Sequence, residues 1–274
     1  MQLPLFVDLF LHGEWCWFGL RLRCGNSLIG ARRAVWTADQ LKTGKHGGKN
    51  SETPRLLKPG EERAENEIYH FLVFDEEMVP THTNRLMRDF WPERCAAAKK
   101  WVTKQAKPKW KTEEIKDALA ICDLVDQHWK VYAGQRAEAL ENNACTATVW
   151  PTPSDAQEAR RPSPTLEEQE KACADLESTS GSFQRLKLIM DGWCALWFWP
   201  LNRVSDLPDR AAFLASSRLL LGAKPPDKHS RVLISAGLGF EIDALLAAAE
   251  GEVPNTQMLS AAVPWFGAGH EIAD

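Results

Sequence analysis

The sequence predicts a mainly α-helical fold with a short N-terminal α/β portion, and three observations predict it. Apolar side chains at Ile115, Leu119, Cys122, Val125, Trp129 and Tyr132 recur three or four residues apart, the stripe of an amphipathic helix. Residues 183–199 are apolar around most of a helical girth, through Phe183, Leu186, Ile189, Met190, Trp193, Leu196 and Trp197, as a buried helix should be. Gly and Pro concentrate in two stretches, 37–62 and 150–165, where regular structure is opposed.

In chain order, residues 1–36 are strand-like, with β-branched and aromatic residues among the leucines. Residues 37–62 read as a loop, carrying Gly44, Gly47, Gly48, Pro54, Pro59 and Gly60. Residues 63–149 read as a helical hairpin region. One helix is expected over 84–107, broken softly at Pro92, and a second over 112–142, with Thr112 as its cap and Glu113 and Glu114 suiting the dipole of the first turn. Pro108 marks the turn between them, so the two should form an antiparallel pair. Residues 150–165 read as a Pro-rich, extended linker. Residues 166–274 form a Trp-rich helical region with helices over 166–177, 183–199 (stopped by Pro200), 208–221 and 238–250. Trp193 and Trp197, four apart on one face, are the expected most buried pair.

Composition sets bounds. The chain has 274 residues, 44% of them hydrophobic and 26% charged, ordinary for a globular protein with a real core. Its formal charge of −4 gives no global case for nucleic-acid binding. Seven scattered cysteines without a Cys-x-x-Cys pair fit reduced thiols and a cytoplasmic location, and no Cys/His spacing suggests zinc. The apolar run Met1–Phe10 is short and lacks a basic flank, so neither a signal peptide nor a membrane span is expected. Twelve Trp against two Tyr point first to aromatic core, and second to a surface that stacks bases.

Three stretches in order carry a family likeness. They are Arg23-Cys24-Gly25-Asn26-Ser27-Leu28-Ile29-Gly30-Ala31, then Phe74-Asp75-Glu76-Glu77-Met78-Val79-Pro80, then Arg185 through Pro200 with its Met190-Asp191-Gly192-Trp193-Cys194-Ala195-Leu196-Trp197-Phe198-Trp199-Pro200 run. Leu207-Pro208 and Phe213-Leu214 follow, and His270-Glu271-Ile272-Ala273-Asp274 ends the chain. This arrangement resembles the adenine-specific DNA methyltransferases of bacterial phage defence, namely the DISARM and BREX methylases and the single-chain type IIG restriction–modification enzymes. The resemblance covers roughly residues 20–220. It implies a helical insertion region behind a Rossmann-like remnant at 1–36, and a parent activity of methyl transfer from S-adenosylmethionine to N6 of a flipped adenine. The chain lacks the family's Asn-Pro-Pro-aromatic tetrapeptide; its Pro225-Pro226 pair lies between Lys224 and Asp227. It also lacks the Asp-Pro-x-x-Gly-x-Gly cofactor loop. The implied reading is an internal fragment or split part, without catalytic residues, binding no S-adenosylmethionine alone and meeting DNA through the complete enzyme, with the missing segments as partner chains.

Few individual residues stand out. Asn26 has two readings: an amide contact to the adenine edge of the cofactor, implied by the resemblance, or an Asx-type turn between glycines. Lys99, Lys100, Lys104, Lys107, Lys109 and Lys111, interleaved with Trp101 and Trp110, read either as a DNA-binding patch that holds phosphates and stacks a base, or as a solvated helix end. Asp191 is expected to pair with Arg185 or Lys187 or to face solvent, and His82 has no partner in sequence. No Ser/His/Asp or Cys/His arrangement is visible. The alternative function class is a non-enzymatic helical interaction or DNA-binding scaffold protein.

Overall fold

A computed structural model describes residues 14–16, 30–46, 52–142, 144–146, 164–178 and 180–222. The elements in order are β1 (Glu14–Cys16), β2 (Ala34–Thr37), α1 (Ala38–Thr43), β3 (Arg55–Leu56), β4 (Glu67–Tyr69), α2 (Arg85–Phe90), α3 (Pro92–Trp101), α4 (Thr112–Asn142), β5 (Ala144–Thr146), α5 (Leu166–Leu176), α6 (Ser182–Ala195) and α7 (Arg210–Leu220). Short 3₁₀ turns lie at His70–Leu72, Pro80–Thr83 and Leu201–Asp206, and a π turn at Val102–Ala106 follows α3. The protein is mostly helical, as the sequence predicts. The expected helix over 238–250 lies outside the described residues.

The strands are short and antiparallel. β2 is central, pairing Val35 with Arg55 of β3 and with Tyr69 of β4; β1 pairs with β5. A Rossmann-like sheet is parallel, built by helical crossovers. The described part of the 1–36 stretch therefore pairs in a different sense. The expected 37–62 loop also holds a helix. Thr37 accepts from the Gln40 amide while its own N–H donates to the Gln40 side chain, a capping box that starts α1, and Gly44 in the left-handed region ends it.

Helix ends follow local chemistry. Asn84 caps α2, Thr165 and Glu168 form the box that starts α5, and Asp209 caps α7 through the Ala212 N–H at 2.7 Å. At α4 the capping group is Glu114, which reaches back to the Lys111 N–H at 2.8 Å; Thr112 is the first helical residue and not the cap.

The expected antiparallel pairing of the two central helices does not occur. α4 packs chiefly against α6 and α7, while α3 packs against the 3₁₀ turns at Leu201–Asp206 and Pro80–Thr83. The cause is the apolar stripe of α4: Ile115, Ala118, Ile121, Cys122 and Val125 face the buried Leu186, Ile189, Phe213 and Leu220 in one core. Burial pushes the Cys122 thiol up to about 12, so it serves as a small core hydrophobe.

The second and third of the stretches that carry the family likeness meet in this core, and Ala31, at the described end of the first, packs against it. Val79 N–H donates to the Leu196 carbonyl at 2.9 Å, and Trp193 Nε1 donates to the Val73 carbonyl at 2.9 Å. His70 accepts from the Arg32 N–H at 3.3 Å and meets the Trp193 ring edge to face at 4.9 Å between centroids. Val79 sits in the left-handed region at φ 55°, a strained position for a β-branched residue, and its carbonyl meets His82 Nδ1 at 2.6 Å. His82 thus has a partner that the sequence did not reveal.

Candidate nucleic-acid interface

The segment 85–111 carries nine basic and two acidic residues in a chain whose formal charge is −4, so positive charge is concentrated there. α2, α3 and the π turn display it. Pro92 opens α3 at the first helical position, where its missing N–H costs nothing. The π turn forms because Lys107 N–H reaches the Val102 carbonyl five residues back at 3.1 Å. Such turns favour functional sites, where they shift the phase of side chains along a helix.

Between this helix and the 3₁₀ turn at Leu201–Asp206 lies a groove of about 470 Å³. Arg94, Lys100 and Lys104 line it with Gln105, Asn202 and Ser205, over a floor that includes Trp101 and Leu201; Glu93 is the acid at its rim. Three cations with neutral amide and hydroxyl donors suit phosphate oxygens.

The structure sorts the residues of the sequence-derived patch into two groups. Lys99, Lys100, Lys104, Lys107, Lys109 and Lys111 are all exposed. Lys107 lies 3.5 Å from Glu76, and the Lys109 stem covers Gly44. Trp101 and Trp110 are buried at 9% and 4% exposure, which corrects the reading in which they stack bases. Trp101 packs on Phe74 and donates to the Pro208 carbonyl at 2.7 Å. Trp110 lies under the guanidinium of Arg210, 4.8 Å from the ring centre. Asn26 lies outside the described residues.

Sequence reasoning missed Arg94, Asn202 and Ser205. A charge count over 85–111 would have found Arg94, but nothing in sequence signals the other two, which arrive from a turn a hundred residues away. Asp191 pairs with Lys187, one of its expected outcomes. Arg185 instead turns into the core and donates to the Leu220 carbonyl at 2.6 Å and the Ser180 carbonyl at 3.1 Å.

Two further polar clusters brace the fold. His128 Nε2–H donates to the Leu221 carbonyl at 3.1 Å, leaving Nδ1 to meet Ser182 Oγ at 2.9 Å. This Ser/His pair, invisible in sequence, joins α4, α6 and the end of α7, and a backbone carbonyl stands where a triad would have a carboxylate. Arg63, with its side chain 4% exposed, donates to Asp126 at 2.9 Å, and Tyr69 donates to the same carboxylate at 2.6 Å beside a cavity of about 350 Å³.

Among the described residues no cluster of His, Cys, Asp and Glu could hold a metal, and no helix is long and apolar enough to cross a membrane. No protein-family model matches the chain, and neither the curated proteins nor the solved structures yield a match.

Proposed function

We propose that the chain is a nucleic-acid-contacting helical part of a DNA N6-adenine methyltransferase of the DISARM, BREX or type IIG kind, inactive alone. The groove of Arg94, Lys100 and Lys104 carries the nucleic-acid half of this reading. The methyltransferase half rests on the likeness of 23–31, 74–80 and 185–200, and the Val79–Leu196 hydrogen bond that joins the second and third of these stretches supports it. In the family, methyl passes from the cofactor sulfonium to adenine N6, which loses a proton. The chain has neither the Gly-rich loop nor the Asn-Pro-Pro-aromatic motif, so no residue here is assigned to cofactor or to chemistry.

The antiparallel sense of the β3-β2-β4 sheet favours a second reading, a non-enzymatic helical interaction or DNA-binding scaffold protein. Methyl transfer to duplex adenine separates the two. It is measured for the chain alone and for the chain mixed with polypeptides that supply the two missing motifs. Transfer only in the mixture is the expected result. A mixture that binds DNA and transfers nothing would overturn the methyltransferase half and leave the scaffold.

A further inference from the structure

The bend between α2 and α3 displays apolar surface that the groove reading does not use. Leu86, Phe90 and Trp91 are 64%, 72% and 46% exposed. Single exposed apolar residues are normal, but three within six positions make a patch. Leu86 and Phe90 share a helix face, and the Phe90 and Trp91 rings are 6.1 Å apart between centroids.

The backbone holds them firmly. Trp91 precedes Pro92 and leaves helical geometry at φ −134° and ψ 63°, breaking the helix. Its N–H nevertheless donates to the Met87 carbonyl at 2.8 Å, and its carbonyl accepts from the Cys95 N–H at 3.0 Å. The two rings therefore stand on a fixed step, three residues before Arg94 and the mouth of the groove, a rise of about 4.5 Å along a helix.

The charge around the step selects its occupant. Arg85, Arg88, Arg94, Lys99 and Lys100 are exposed within ten residues of the rings, against Asp89 and Glu93. An apolar protein surface gains nothing from that excess of cations, whereas a polyanion with aromatic bases satisfies both features. We propose that Phe90 and Trp91 form a stacking platform for unpaired bases of a nucleic acid whose phosphates run into the Arg94–Lys100–Lys104 groove. This rests on the groove reading. Trp101 and Trp110, the aromatics nearest the lysines in sequence, are buried, and Phe90 and Trp91 take the stacking role that the DNA-binding reading gave them.

The test compares a short labelled single strand and a blunt duplex by fluorescence anisotropy, with the parent, Phe90→Ala/Trp91→Ala, Phe90→Tyr/Trp91→Phe and Lys100→Glu/Lys104→Glu. The alanine pair should bind the single strand at least about tenfold more weakly, with an unchanged salt slope and a nearly unchanged duplex affinity. The aromatic-retaining pair should bind as the parent does. The charge-reversal pair should weaken both ligands. An alanine pair that holds the single strand as tightly as the parent, or weakens both ligands alike, overturns the platform and leaves the groove standing. Self-association of the parent that the alanine pair abolishes, with nucleic-acid binding unmoved, assigns the step to a protein contact and also overturns it. A parent that binds neither ligand removes the groove and the platform together.

Discussion

The indole nitrogen of Trp193 donates to the backbone carbonyl of Val73 at 2.9 Å, joining chain positions 120 residues apart. Trp193→Phe keeps most of the apolar area but orphans a buried carbonyl, and should cost about 1–3 kcal/mol. Trp193→Ala should cost about 3–5 kcal/mol. Trp199 is 0% exposed and donates to the Arg203 carbonyl at 2.8 Å, so Trp199→Ala belongs in the same range. Trp197, expected from sequence to share the deepest burial with Trp193, is only half-buried, because α6 ends at Ala195 and the chain turns there. Trp197→Ala should cost less than either. Denaturant unfolding measures all four variants, and a Trp197→Ala loss as large as that of Trp199→Ala would contradict this ordering.

Arg210 is 4% exposed and ties four groups together. It donates to the carbonyls of Gln105 and Pro108, pairs with Glu114 at 3.1 Å and covers the Trp110 ring. Removing it leaves buried acceptors and a carboxylate without their cation, so Arg210→Met should lose about 3 kcal/mol. Arg210→Lys should recover little, since a point charge cannot reach the two carbonyls and Glu114 at once. A lysine variant that melts with the parent would show that charge alone suffices.

Stability should fall in mild acid through His70. Burial holds its folded pKa down at about 4, against an ordinary value of 6.5. The unfolded chain therefore binds the proton more readily, so this contribution is complete above pH 6.5 and is lost as pH drops towards 4. It amounts to about 3 kcal/mol. His70→Gln keeps an acceptor for the Arg32 N–H but cannot ionise. Its unfolding free energy should vary less over that window than the parent's, and equal pH slopes would sink the assignment.

Helices were legible where periodicity and caps agreed. The stripe from Ile115 to Tyr132 places α4, and the helix expected over 166–177 matches α5. Strands of two to four residues are too short for an alternation to register, and glycines at 44, 47, 48 and 60 hid the capping box of Thr37 and Gln40. The lysines of the groove were legible as charge. The fates of its aromatics were not, because Trp101 is claimed by a carbonyl 107 positions away and Trp110 by Arg210, while Phe90 and Trp91 are left outside by a bend at Pro92.

The salt dependence of duplex DNA binding bears most directly on the groove. Each phosphate neutralised lowers the slope of log affinity against log salt by about 0.9, so the three groove cations should give the parent a slope of about −3 or steeper. In Lys100→Glu/Lys104→Glu the slope should become shallower by about 2, with the fold intact by circular dichroism. A parent that binds duplex with no salt dependence, or a reversal variant whose slope matches the parent's, would contradict the assignment of this groove to the nucleic-acid backbone.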